Sequence, residues 1–175
     1  MKDKKINLYL YEAIELRNEY DRHVELLQDL LGESAKKRGI FSDYNDEKEA
    51  SADFNQKEIE KRLKTLQTKR VKINQEIQKA NFDTEVEFGG KKIRISEALE
   101  IRKNLLEDIK NSALRVEKSS YRRVIHKEGR DIVQEPRHKF TETYRDYQDK
   151  LLQLRRLVDQ IHAANHMAAV SFKDE

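Results

Sequence analysis

Apolar side chains recur at three- and four-residue spacing in four long stretches of the chain and alternate with polar ones in a few short stretches. The first long stretch runs from about Tyr11 to Leu31 on Ala13, Tyr20, Val24, Leu27 and Leu31, and Gly32 is placed to stop it. The second begins near Asp53 or Asn55, where Asn55 and Glu58 have capping-box spacing, and carries Ile59, Leu63, Leu66, Ile73 and Ile77. The third follows Ser96, a good N-cap, through Ala98, Leu105, Ile109, Ala113 and Val116. The fourth follows Pro136 on Phe140, Tyr144, Tyr147, Leu151, Leu154, Val158 and Ile161. Four long helices are predicted.

Between the second and third helices, Thr84 to Phe88 and Lys91 to Ile95 alternate in polarity around Gly89-Gly90, a pair that accepts the positive φ of a two-residue hairpin turn. Ile6 to Leu10 and Ala168 to Phe172 read as further strands. Two weaker alternating runs, Arg122 to His126 and Arg130 to Gln134, suggest a second hairpin.

The pattern recurs. Glu12-Ala13-Ile14-Glu15-Leu16-Arg17 returns as Glu97-Ala98-Leu99-Glu100-Ile101-Arg102, and Ala80-Asn81 with Val86 and Phe88 returns as Ala164-Asn165 with Val170 and Phe172. The reading is a single domain over 1–175 with an internal repeat, 5–88 and 91–172. Its fold class is mainly α: long antiparallel helical hairpins forming a four-helix bundle, with short β-strands at one end, including the hairpin at 84–95. The recurrence asks Ile6 to Leu10 to pair with Ala168 to Phe172, and each Asn81 and Asn165 to close a helix in the left-handed conformation. Residues 33–52, a basic cluster followed by an acidic one, read as a solvated connection.

These openings, the Asn81 and Gly89-Gly90 junction and the closing Ile161-His162-Ala163-Ala164-Asn165 resemble the septicolysin-like family of small bacterial proteins over nearly the whole chain. Departures are the longer 33–52 insertion and His166 where that family often has tryptophan. The resemblance implies a helical fold and, through the family's name alone, a membrane-lytic activity; no catalytic residue transfers.

Composition narrows the function classes. Charged residues make up 39% of the chain, which suits long solvated helices with narrow apolar stripes. Lys and Arg number 36 against 33 Asp and Glu, too balanced for the whole chain to announce a nucleic-acid or membrane partner. Cysteine is absent, which excludes disulfides and thiol chemistry and suits a reducing cytoplasm. No apolar run approaches the ~18 residues of a spanning helix, and Glu12, Glu15 and Arg17 interrupt the short run that could imitate a signal peptide. A cytoplasmic location is expected.

Candidate chemistry is sparse. Arg17 and Arg102 fall within apolar stripes and need partners; Glu12 and Glu97, or the carbonyl ends near Asn81 and Asn165, would make them structural locks. His162 and His166 share a helical face at a spacing that suits metal ligands, but nothing nearby completes a motif, so a polar helix-end pair is expected. The segment Lys118 to Lys139 is locally basic, and Lys118, Arg122, Arg123, Lys127 and Arg130 could contact phosphates. No phosphate loop, nucleophile elbow or metal cluster is present, and no cofactor is expected. The favoured function is a non-catalytic helical protein that self-assembles into a homo-oligomer or binds another protein. The rivals are nucleic-acid binding through 118–139 and the membrane-lytic activity of the family name.

Overall fold

The computed structural model describes residues 5–36, 51 and 53–173, with side chains left undescribed at 5, 6 and 33–36. The 33–52 connection therefore lies largely outside the described residues. The elements are β1 (Lys5–Tyr9), α1 (Leu10–Lys36), α2 (Gln56–Asp83), β2 (Glu85–Phe88), β3 (Lys91–Arg94), α3 (Ile95–Ser120), β4 (Arg123–Lys127), β5 (Arg130–Gln134), α4 (Phe140–Met167) and β6 (Ala169–Lys173). The chain is mainly helical, with three two-stranded antiparallel sheets among the described residues, β1-β6, β2-β3 and β4-β5.

Two compact units result: residues 1–80 with 165–175, and residues 81–164. Their borders fall at the recurring Ala-Asn pairs, Ala80-Asn81 and Ala164-Asn165. In the first unit β1 pairs with β6, Ile6 opposite Phe172 and Leu8 opposite Val170, as the recurrence required. In the second, β2 pairs with β3, Val86 opposite Ile93. Gly89 and Gly90 between them hold φ of 61° and 74°, the conformation for which glycine was expected there. The weaker hairpin also forms, with Glu128 and Gly129 both at positive φ in its turn.

Strand passes directly into helix at both junctions. The N–H of Leu10, first residue of α1, donates to the carbonyl of Ala168 at 2.8 Å, and that of Ile95, first residue of α3, to Thr84 at 3.0 Å. Each bond extends the strand ladder one residue into the helix and satisfies one of the donors that a helix start leaves orphaned. For this reason Ser96 is not the N-cap: α3 begins before it, with Arg94 as N-cap and no side-chain capping bond. At α1 the side chain does take part, because Glu12 Oε2 accepts the Tyr9 N–H at 2.7 Å, the backward half of a capping box. At α2 Asn55 caps as expected, its Oδ1 accepting the Glu58 N–H at 3.3 Å.

Three expected helix ends shift. Gly32 is helical and α1 continues to Lys36. Asn81 and Asn165 do not turn left-handed, for among the described residues Glu128 alone of the non-glycines has positive φ. Both helices run two residues further and leave straight into extended backbone, so no chain reversal calls for the left-handed turn.

The core gathers near the strands. The first unit buries Leu10, Ala13, Tyr20, Val24, Ile73, Ile77, Val170 and Phe172; the second buries Val86, Ile95, Ala98, Leu157, Ile161 and Ala164. Corresponding positions of the recurring pattern are buried in both: Leu10 and Ile95, Ala13 and Ala98, Ile73 and Leu157, Ile77 and Ile161, Val170 and Val86. Away from the strands burial fades, so Leu27, Leu63 and Leu105 are half-buried and Ala113, Phe140, Tyr144 and Leu151 are exposed, where the stripes predicted core.

Phe172 is 2% exposed and Phe82 is 55% exposed. Phe172→Ala is expected to cost about 3–5 kcal/mol in urea denaturation through transfer and cavity terms, and Phe82→Ala less than about 1 kcal/mol. Equal losses would refute this placement of the core.

Candidate functional site

The expected arginine locks meet different surroundings. Arg17 is half-buried; one terminal nitrogen donates to Asn18 Oδ1 at 2.9 Å, Nε lies 3.9 Å from Asp21 Oδ2, and Nε itself has no hydrogen bond among the described residues. Asp21 also pairs with Arg70, so a carboxylate on α1 bridges Arg17 to α2. Glu12, the expected partner, is occupied at the Tyr9 N–H and takes the Tyr11 hydroxyl at 3.3 Å on its other oxygen. Its charge pushes the Tyr11 phenol above its ordinary pKa. Arg102 is exposed and makes no hydrogen bond or ion pair among the described residues, and Glu97 is exposed in the first turn of α3, where the helix dipole favours acid. Asn81 and Asn165 are half-buried in helix-ending turns. The sequence could have offered Asp21, four residues after Arg17 on the same face.

His162 and His166 do not converge on a ligand set, and among the described residues no group of three or more His, Asp or Glu could hold a metal. His162 is exposed, whereas His166 lies against the Tyr11 ring with centroids 4.4 Å apart, and Tyr11 in turn stacks on Tyr9.

In the second unit the pairing of α3 with α4 is polar at its outer end. Lys150 Nζ donates to Ser112 Oγ at 2.7 Å and to Asp146 Oδ2 at 2.6 Å, and Ser112 Oγ donates to the same carboxylate oxygen at 3.1 Å. About two turns further along α3, Ser119 and Thr143 share a hydrogen bond of 2.7 Å. Ser112 and Ser119 are buried, and these contacts set the helices antiparallel. The sequence stripes passed over this seam because its members are polar, yet serines seven apart on α3 facing residues at 143, 146 and 150 have the same helical period as an apolar seam. The hydrogen bond from Lys150 holds the Asp146 carboxyl below its ordinary pKa; Ser112 and the charges of Lys150 and Arg115 act in the same sense, against partial burial.

The expected phosphate contacts cluster at this same end. Lys118 lies in the last turn of α3, Arg122 precedes β4, and Arg123, Lys127 and Arg130 project from the hairpin, all exposed. By strand alternation Arg123, Lys127 and Arg130 share one face with the pair Ile125 and Ile132, while His126 and Asp131 bond to each other at 2.6 Å on the opposite face. Lys127 stands directly opposite Arg130. At the foot of the hairpin a cleft of about 350 Å³ is lined by Arg115, Lys118, Ser119, Arg137 and His138, of which the sequence reading singled out Lys118 alone. Arg115, Lys118, Arg122, Arg123, Lys127, Arg130 and Arg137 make no hydrogen bond or ion pair among the described residues. A larger apolar cleft, of about 710 Å³, lies between α1 and α2 on Leu26, Leu27 and Leu66.

With the geometry in view, comparison with known proteins settles the fold alone. No family model matches the chain, and no curated protein does. A crystal structure of a functionally unknown conserved protein from Corynebacterium diphtheriae is similar to it, with a TM-score of 0.71 and 21% identity over 94% of this chain and 99% of that one. The two share a fold. Among the described residues no helix is long and apolar enough to cross a membrane.

Two measurements probe the polar contacts. Because Asp146 has its pKa lowered on folding, its contribution to stability is present above the ordinary carboxylate value and disappears as pH falls through the lowered one. Asp146→Asn should therefore be less stable than the parent at neutral pH and equal to it in strong acid; a constant difference would refute the coupling. Asp21→Ala should cost about 1 kcal/mol in thermal melts, since it strips Arg17 and Arg70 together, whereas exposed Arg102→Leu should stay within about 0.5 kcal/mol.

Proposed function

We propose that the chain is a non-catalytic helical protein that assembles with itself, α4 of one copy packing against α4 of a second. The observation that supports this is the mismatch between two seams on one helix. Phe140, Tyr144, Tyr147, Leu151, Leu154 and Val158 follow one another at alternating four- and three-residue spacing, the heptad pattern with which helices interlock. Thr143, Asp146, Lys150 and Leu157 lie roughly a quarter turn away at about 100° per residue, and the first three of these bond to α3. The apolar seam is thus not the one used within the unit. Phe140, Tyr144 and Leu151 on it are 38–44% exposed, and Tyr147, Leu154 and Val158 are half-buried. A regular heptad seam is self-complementary across a twofold axis, which makes a second copy the fitting occupant.

The internal repeat belongs to the same proposal. Matching buried positions, matching strand-to-helix hydrogen bonds and unit borders at both Ala-Asn pairs support a duplicated helical hairpin whose strands have been exchanged between its halves.

Sedimentation velocity tests the assembly. The parent should sediment as a dimer or larger at micromolar concentration, and Leu151→Lys should raise the dissociation constant on the order of 10²–10³-fold, since about 2 kcal/mol of apolar burial is lost on each side of a symmetric contact. A monomeric parent, or an assembly that Leu151→Lys leaves intact, would overturn the reading.

A further inference from the structure

The β4-β5 hairpin and the cleft at its foot carry a run of exposed cations. Four groups from two directions converge on the cleft: Arg115 and Lys118 one turn apart on α3, and Arg137 and His138 from the segment entering α4. The partial negative charge of a helix C-terminus accounts for Lys118 in the last turn of α3, but not for Arg137 arriving from across the cleft. Asp146, whose charge is felt by Arg115, is bonded to Lys150 and Ser112. Convergent cations repel unless an anion lies among them.

A second, independent observation comes from the hairpin register. Lys127 and Arg130 are directly opposed across the two strands, a like-charge pair that weakens a sheet, in a two-stranded hairpin with little stability of its own. Arg123 lies on the same face at the base. The carboxylate of Asp131 lies on the other face, bonded to His126. The cations therefore form a row, from the cleft at the foot along one face to the tip, where a structural role would have favoured alternating signs.

We propose that this row binds the sugar-phosphate backbone of a single-stranded nucleic acid, with one phosphate in the cleft and the strand running along the Arg123, Lys127 and Arg130 face. A linear row suits a linear polyanion. Single-stranded character is favoured by Tyr121, which is 83% exposed between the cleft and the hairpin and offers a bare ring on which an unpaired base can stack. The inference is independent of self-assembly, since it uses none of the apolar seam on α4.

Fluorescence anisotropy of the full chain with a labelled single-stranded oligonucleotide tests it, with RNA, DNA and duplex arms and vesicles containing anionic lipid as a fourth. Binding should favour single strands over duplex, and the RNA and DNA arms identify which the site prefers. The logarithm of the binding constant should fall linearly with that of salt, with a slope of roughly −2 to −3 for three or four phosphate contacts at about −0.7 each. The hairpin triple variant Arg123→Glu, Lys127→Glu, Arg130→Glu should weaken binding at least 100-fold, Arg137→Ala about tenfold and Tyr121→Ala about tenfold, while Lys64→Glu on α2 leaves it unchanged. Circular dichroism melts confirm that each variant is folded. The proposal is overturned if no oligonucleotide binds, if binding does not depend on salt, if vesicles alone are bound, or if the hairpin triple variant binds like Lys64→Glu.

Discussion

Two backbone hydrogen bonds carry the architecture, Leu10 to Ala168 and Ile95 to Thr84. Each joins the first residue of a helix to the residue just outside the partner strand, so the axis of a helix nearly thirty residues long is aimed by a sheet of two strands. A two-stranded sheet is marginal alone and a helix start is costly to nucleate. At these junctions each supplies what the other lacks: the ladder satisfies a helix donor, and the helix lays Leu10 or Ile95 and the alanine three residues on over the buried face of the sheet. That is why burial is dense near the strands and thins along the helices.

The thinning leaves the outer ends of α3 and α4 with an unusual division of labour. Their mutual contact is made by Ser112, Ser119, Thr143, Asp146 and Lys150, whose hydrogen bonds are directional and fix one register, whereas an apolar seam tolerates sliding. The side chains that could have contributed most by burial, Phe140, Tyr144 and Leu151, look elsewhere.

Legibility in the sequence followed the physics of each signal. Helices longer than six turns announce themselves by repetition, and Gly89-Gly90 by the positive φ that only glycine takes easily, so the elements and both hairpins could be read. The pairing of the first strand with the last followed from the recurrence of Val86 and Phe88 as Val170 and Phe172. Helix ends are less legible because Ser96, Gly32, Asn81 and Asn165 carry local preferences that the strand-to-helix junctions and continuing helix override. Recurrence points Glu12 at Arg17, but a side chain two residues into a helix is within reach of the preceding backbone and outcompetes a longer span. The seam through Ser112 was invisible to a search for apolar periodicity, and the cleft joins Arg115 to Arg137 across a hairpin that sequence spacing cannot fold up.

The pairing of β1 with β6 also sets an order in time. Residues 81–164 form one unbroken stretch of chain, with β2 beside β3 and α4 returning along α3 after a single hairpin. The other unit is discontinuous: β1 is made first and β6 last, with the whole second unit between them. On a ribosome β1 therefore emerges before its partner and stays an open edge, while residues 81–164 are already able to close. Among the described residues, β1 and β6 are the strand pair farthest apart in sequence and the slowest to find each other, so the discontinuous unit is the one that finishes folding.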